Sequence, residues 1–152
     1  MPRERRIRYD FMKIEGQINH FVNEYAYLDP NYPAEFIYFG GKWKSIQDAY
    51  DNLVEENFDT HRKLKLMGNI VYQCYKQNDA MAAELLKTKK MWIQNIVKNH
   101  DNFWHNCSCF DCFTEDGNNY YGRILMEVRD RFIWENNPKK HAASKRWKAK
   151  YF

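Results

Sequence analysis

The sequence predicts a mainly α-helical, compact domain of several helices with one small β-hairpin in its N-terminal third. Apolar residues recur at helical spacing in several segments after residue 45. Before them, a Gly-Gly pair interrupts a short run of β-forming residues. The chain has 152 residues, which is enough for a single core. We divide it into a basic N-terminal extension (1–14), one domain (15–136) and a basic C-terminal tail (137–152).

The hairpin and the first helix follow each other closely. Residues 36–39 and 42–44 form the predicted strands, because Gly40-Gly41 supplies the positive φ angles of a two-residue turn. Ser45 then has the character of an N-cap, and Asp48 adds favourable charge to the first helical turn. The helix itself is predicted from an apolar face of Ile46, Ala49, Tyr50, Leu53 and Val54.

Further helices are predicted over residues 60–77, 79–86 and 89–98, with Asn78 as the cap of the second. Residues 99–117 break the apolar pattern and form a polar loop that contains three cysteines. A last helix follows this loop and ends near Trp134, before Pro138.

Charge is concentrated at the two ends of the chain. Residues 1–14 carry five Arg or Lys and two acids, and residues 136–152 carry six Arg or Lys and no acid. The second segment also contains Trp147, Tyr151 and Phe152, and such interleaving suits phosphate contact and base stacking. These ends therefore predict nucleic-acid contact, with a solvated tail as the alternative.

The sequence predicts a cytoplasmic protein that makes no membrane contact. No apolar run approaches the length of a membrane span, and the first residues lack the apolar core of a secretory signal. In such a compartment cysteines are reduced or bind a metal.

The loop motif His105-x-Cys107-x-Cys109-x-x-Cys112 offers four nitrogen and sulfur donors within eight residues. Zinc prefers four such ligands in a tetrahedron, and Cys-x-x-Cys is a common half-site. Zinc is one interpretation of this loop, and Cys74 or another histidine can complete the ligand set instead. The alternative is a loop of reduced thiols.

Residues 117–129, GNNYYGRILMEVR, resemble the C-terminal signature of the NADAR family, the NAD- and ADP-ribose-associated domains. That signature has a Gly-x-Asn-x-Leu-Gly turn followed by a Leu-Met-Glu-x-Arg helix. The matching positions here are Gly117, Asn119, Tyr121, Gly122, Leu125, Met126, Glu127 and Arg129. Other blocks resemble the family in the same order: Glu24-Tyr25, residues 28–33, Gly41-Lys42-Trp43, residues 45–50, residues 85–93, and Asp101 with Trp104.

The resemblance implies a mainly helical protein that acts on N-glycosidic bonds of a ribosylated nucleobase or an ADP-ribose-type ligand. In such a reaction a base leaves C1 of ribose, and a carboxylate stabilises the oxocarbenium-like charge while a proton reaches the leaving group. No redox cofactor is required. The positions implied for the site are Asp101, Asp51 and Glu127 for catalysis, and Trp43, Gln47, Tyr50, Trp104 and Asn119 for ligand binding.

The sequence departs from the family where the chemistry matters most. A Glu and a Lys seven residues apart are expected on the helix after the hairpin, and this chain has Gln47 and Val54 there. The loop expected to read Ser-Asn-Phe is Asp29-Pro30-Asn31, and His105 replaces a Gly.

Two interpretations of the altered site stay open. In the first, Asp29, Asp48, Asp51 or Asp101 supplies the missing carboxylate and hydrolysis is retained. In the second, the domain binds a nucleotide or nucleic acid without cleaving it. A third class, a protein-interaction module with a filled pocket, is also compatible with the sequence.

Overall fold

The computed structural model describes residues 16–137. The predicted N-terminal extension (1–14) lies outside the described residues, as does the predicted tail apart from Asn137. In chain order the elements are β1 (Gln17–Ile18), a 3-10 helix (Asn23–Leu28), β2 (Phe36–Tyr38), β3 (Gly41–Trp43), α1 (Ile46–Leu53), α2 (Thr60–Gln77), α3 (Asp79–Lys87), β4 (Trp92–Ile93), β5 (Ile96–Val97), β6 (Asn106–Cys107) and α4 (Tyr120–Glu135).

The predicted hairpin is confirmed, with its turn one residue earlier than expected. β2 and β3 pair antiparallel, and Tyr38 faces Gly41 across the ladder. The turn residues are therefore Phe39 and Gly40, whose φ angles are +50° and +75°. Gly41 belongs to β3 instead, where the indole ring of Trp43 lies against its Cα and leaves no room for a side chain.

Predicted helix boundaries agree with the structure to within a residue for α1, α2 and α3. Ser45 caps α1, since its Oγ accepts a hydrogen bond from the N–H of Asp48 at 3.1 Å. The Asp48 carboxylate accepts in turn from the N–H of Lys44 at 3.0 Å, which closes a reciprocal cap. Asn78 does not cap α3 with its side chain, which instead donates to the carbonyl oxygens of Cys74 and Glu35.

The prediction of a helix over residues 89–98 is wrong. This segment contains the two short strands β4 and β5, which pair in parallel with β1 and β6 respectively. Trp92 and Ile93 are buried, and their register opposite Gln17 and Ile18 ties the start of the domain to its middle. In residues 16–137 the strands thus form three two-stranded sheets. The architecture is a set of helices with small sheets, and it is more mixed than a mainly α domain with one hairpin.

The core lies between α2 and α4. The rings of Tyr72 on α2 and Phe132 on α4 stack with centroids 5.4 Å apart. Tyr75 is fully buried, and its hydroxyl donates to the carbonyl oxygen of Tyr27 at 3.1 Å. Leu125 and Val128 of α4 are also fully buried, so this helix is the central element of the fold. Among the described residues no helix has the length and apolar character needed to cross a membrane.

Candidate functional site

The signature turn before α4 has a structural role. Asn119 adopts the left-handed conformation, with φ of 49°, and only 2 % of its surface is exposed. Its Nδ2 donates to the carbonyl oxygen of Ile93 at 2.9 Å. The predicted ligand contact of Asn119 is therefore not supported by its position, because the side chain lies in the interior and joins α4 to β4.

The two signature glycines are sites of close approach. A Cβ on Gly122 would overlap the carbonyl oxygen of Ile93. A Cβ on Gly117 would lie 2.6 Å from the carbonyl oxygen of His105 and 2.7 Å from Oδ1 of Asn102. Glycine is needed at both positions because another chain segment occupies the space of a side chain.

The signature arginine, Arg129, also holds α4 against a neighbouring segment of the chain. Arg129 is 4 % exposed, and its guanidinium donates to Oγ1 of Thr88 and to the carbonyl oxygen of Met91, both at 2.9 Å. Asn119, Gly122 and Arg129 thus fix α4 against residues 88–93. These three signature residues therefore build the scaffold.

A different group of predicted residues does meet at the surface. Tyr50 of α1 and Trp104 of the loop between β5 and β6 contact each other edge to face, with ring centroids 5.4 Å apart. On the same helix, Nε2 of Gln47 donates to Oδ1 of Asp51 at 2.7 Å. The N–H of Gln47 donates to the carbonyl oxygen of Pro30 at 2.8 Å, so the Asp29-Pro30-Asn31 loop lies at the start of α1.

Asp101 shapes the loop that carries Trp104. Its Oδ1 accepts from the N–H groups of Phe103 and Trp104 at 3.0 and 2.9 Å, which forms a tight side-chain-capped turn. The carbonyl oxygen of Trp104 accepts from the N–H of Tyr121 at 3.0 Å and joins the loop to α4. We call Gln47, Tyr50, Asp51, Asp101 and Trp104 the α1–loop face.

Burial and the charges of Asp101 and Asp29 act on the pKa of His105. Burial lowers the pKa of His105, and the negative charges of Asp101 and Asp29 oppose this effect. Burial also raises the pKa of Tyr121 well above its ordinary value, with smaller contributions from Cys74 and Asp29. Asp29, like Asp101, uses one carboxylate oxygen in its own loop, where Oδ1 accepts from the N–H of Asn31 at 2.7 Å.

Three other positions of interest are Trp43, Glu127 and Val54. Trp43 is part of the hairpin, where its Nε1 donates to the carbonyl oxygen of Tyr38 at 2.9 Å. Glu127 is half-buried on α4, about 9 Å along the helix axis from Tyr121. Val54 does not extend α1: it is the C-cap, has extended φ and ψ angles, and packs partly against the core.

The cysteine loop brings four donor atoms together, with one change in the predicted ligand set. His100, Cys107, Cys109 and Cys112 offer ligand atoms that all lie within 4.8 Å of one another, an arrangement able to hold a metal ion. His105 is not in this group. Its ring is buried between Phe21 and Tyr121, at centroid distances of 6.1 and 5.9 Å.

Sequence reasoning allowed another histidine as a ligand but did not name His100, which precedes Cys107 by seven residues. Its left-handed backbone, with φ of 67°, reverses the chain and lets its N–H donate to Sγ of Cys107 at 3.3 Å. Cys74, the other alternative ligand, is buried in the core, where burial raises the pKa of its thiol to about 12. A spacing of His-x6-Cys-x-Cys-x2-Cys is the signal in the sequence that fits the structure.

A cavity of about 300 Å³ lies between the hairpin turn, the end of α1 and α2. Its lining is largely apolar and includes Phe39, Leu53 and Phe58, with Arg62 and Lys65 as cationic residues. None of the predicted site residues lines it.

Comparison with known proteins supports the fold. A solved structure, the NMR structure of the E. coli protein YbiA, matches with a TM-score of 0.65 over 81 % of this chain and 88 % of that chain, at 16 % sequence identity. No family model matches the sequence. No curated protein matches it either. The chain therefore has a YbiA-like fold, in agreement with the NADAR-like fold that the motifs imply.

Proposed function

We propose that this protein binds a ribosylated nucleobase or an ADP-ribose-type ligand at the α1–loop face. The observation that supports this most is the contact between Tyr50 and Trp104. It joins the helix that carries Gln47 and Asp51 to the loop that carries Asp101. Two chain segments in contact thus carry aromatic, amide and carboxylate side chains, which are groups that suit nucleotide recognition.

Each group on this face has a chemical counterpart in such a ligand. The half-buried indole of Trp104 provides a flat apolar surface for a base. Gln47 and Asp51 present hydrogen-bonding groups that suit ribose hydroxyls, and Asp51 is exposed to solvent. The YbiA-like fold supports a nucleoside-related function at this general level.

Cleavage of an N-glycosidic bond is the finer part of the proposal. Gln47 is a neutral amide and cannot stabilise positive charge at C1 as a carboxylate does. The carboxylates available on the face are Asp51, one turn beyond Gln47, and Asp101. We assign charge stabilisation to these two residues, and we expect slower cleavage than with a glutamate at position 47. A non-catalytic binding protein is the alternative.

Trp104→Ala tests the location of the binding site. We expect it to weaken ADP-ribose binding about 5- to 150-fold, since loss of one base-stacking aromatic costs about 1–3 kcal/mol. Isothermal titration calorimetry measures the affinity, and release of free base from ADP-ribosylated guanine DNA or from ribosylaminopyrimidine phosphates measures cleavage. Binding without release of base would identify the non-catalytic alternative.

Phe39→Ala is the matched control for Trp104→Ala. Phe39 is 80 % exposed and lines the separate cavity near α2. We expect this variant to bind as the wild type does. If Phe39→Ala loses affinity and Trp104→Ala does not, the ligand occupies that cavity and the assignment to the α1–loop face is wrong. Thermal unfolding of both variants separates lost contacts from lost folding.

We also propose zinc at the cluster of His100 and the three loop cysteines, in a structural role. The chemistry assigned to Asp51 and Asp101 needs no redox cofactor.

The basic ends of the chain support contact with nucleic acid as a second proposal. Residues 136–152 carry six Arg or Lys and no acid. Removal of residues 139–152 should flatten the dependence of DNA affinity on salt, because each phosphate contact contributes a slope of about 0.9 in log–log form. Fluorescence anisotropy at several salt concentrations measures this slope. An unchanged slope would show that the tail makes no phosphate contacts.

A further inference from the structure

The four donors in the loop have the spacing of a tetrahedral soft-metal site. Nδ1 of His100 lies 3.3 Å from Sγ of Cys109 and 3.5 Å from Sγ of Cys112. Zinc–nitrogen and zinc–sulfur bonds at tetrahedral angles place two such ligands about 3.6 Å apart. The largest separation among the four ligand atoms is within 4.8 Å, so a small contraction closes the set around one ion.

Backbone donors support a thiolate at the most buried member of the cluster. Sγ of Cys107 accepts from the N–H of His100 at 3.3 Å and from the N–H of Cys109 at 3.5 Å. Hydrogen bonds of this kind stabilise a metal-bound sulfur and orient it. Cys107 is buried, Cys109 and Cys112 are half-buried, and His100 is exposed, which leaves a path for an ion from solvent.

The cluster encloses the loop that carries the proposed binding residues. His100 immediately precedes Asp101, and Cys107 follows Trp104 by three residues. The N–H of Cys107 donates to Oδ1 of Asn102 at 2.8 Å, so the ligand and the loop are already connected inside this turn. An ion held by His100 and Cys107 would close the chain on both sides of residues 101–104.

We propose that one zinc ion is bound by Nδ1 of His100 and the thiolates of Cys107, Cys109 and Cys112, and that it positions Asp101 and Trp104 on the α1–loop face. On binding, the three thiols release their protons and the imidazole of His100 keeps its proton on Nε2. The effect on ligand affinity rests on the proposed function. The metal site and its effect on the loop do not.

The ligand set is tested with Zn²⁺ alone. Metal analysis should find one zinc per wild-type chain, and His100→Ala should weaken zinc binding at least about 100-fold, more than loss of an outer-sphere partner does. Two controls should keep one zinc. His61→Ala removes an exposed histidine of α2, and Cys74→Ala removes the cysteine outside the cluster. Cobalt(II) absorption should report three thiolate ligands in the wild type.

His105→Phe tests the histidine that the sequence motif favours. Because His105 lies between aromatic rings, we expect this variant to keep zinc. If it does not fold, the cobalt spectrum of His100→Ala decides the same question, because loss of a nitrogen ligand alters the spectrum while three thiolates remain. Absence of zinc from the wild type, or full retention of it by His100→Ala, would overturn the proposed site.

Hydrogen exchange tests the effect on the loop. Zinc should slow amide exchange in residues 98–106 compared with chelated protein, while exchange in α2 stays unchanged. ADP-ribose affinity should fall on chelation. Slowed exchange without any ADP-ribose binding would support this inference and refute the proposed function. ADP-ribose binding that does not depend on zinc, with unchanged loop exchange, would refute the positioning role instead.

Discussion

Replacement of Gly122 with alanine is expected to destabilise the protein by about 2 kcal/mol net, because overpacking a well-packed interior costs up to about 3 kcal/mol and helix propensity offsets about 1 kcal/mol of it. The added Cβ would overlap the carbonyl oxygen of Ile93 and lie 2.5 Å from Oδ1 of Asn119. Both oxygen atoms are held in place by the hydrogen bond from Nδ2 of Asn119 to the carbonyl oxygen of Ile93. Alanine favours a helix over glycine by about 1 kcal/mol, which offsets only part of this cost. Thermal unfolding should show a midpoint lower by about 4–8 °C.

Gly68→Ala is the control for this prediction. Gly68 lies within α2, and a Cβ there would meet no atom within 4 Å. This variant should therefore gain about 0.5–1 kcal/mol from helix propensity alone. If the two variants have the same stability, α4 and β4 do not approach each other as closely as the structure shows.

Arg129→Ala is expected to cost about 3–6 kcal/mol, because it removes two hydrogen bonds from a buried charged donor, each of which contributes about 1.5–3 kcal/mol. Arg129 is 4 % exposed, and its guanidinium hydrogen-bonds Thr88 and Met91. Truncation leaves their oxygens buried without these donors and leaves a void beside α4. Denaturant unfolding should show a lower midpoint for this variant.

Two comparisons define the role of Arg129. Arg62→Ala removes an exposed arginine of α2 and should change stability by less than about 0.5 kcal/mol. Arg129→Lys keeps the charge but cannot hold both oxygens with one planar group, so it should lie between the wild type and Arg129→Ala. A loss of ADP-ribose binding at unchanged stability would contradict the structural role assigned to Arg129.

These two predictions concern the segment that most resembles a known family. Gly122 and Arg129 join α4 to residues 88–93, and Asn119 does the same from the turn before the helix. Their side chains or Cα atoms face other parts of the chain. The resemblance therefore reports on the fold, whereas the activity that we propose is assigned to Gln47, Asp51 and Asp101 elsewhere in the chain.

Local sequence signals predicted the helices and the hairpin that are specified by residues close together in the chain. Ser45 and Asp48 specify the start of α1 through hydrogen bonds within four residues. The apolar spacing of α2 matches the buried face that includes Met67, Ile70 and Val71. The hairpin was predicted from Gly-Gly, and its one-residue offset arises because Phe39 adopts a positive φ angle.

Segment 89–98 could not be predicted in the same way. Its strands pair with residues 17–18 and 106–107, so the backbone conformation depends on distant partners. Short apolar runs fit a helix or a strand equally well when the pairing partner is unknown. The buried positions of Trp92 and Ile93 decide the outcome through contacts that local periodicity does not contain.

The sequence by itself determined the Ser45 cap, the helices α1 to α4, the hairpin and the resemblance to the NADAR family, because these depend on neighbouring residues or on short motifs. Tertiary structure alone decided which candidates meet. It brought Tyr50 to Trp104, buried Asn119 against Ile93, and replaced His105 with His100 beside the three cysteines. The physical reason is that each of these contacts depends on how the loops fold back on the helices and on one another, which spacing along the chain does not encode.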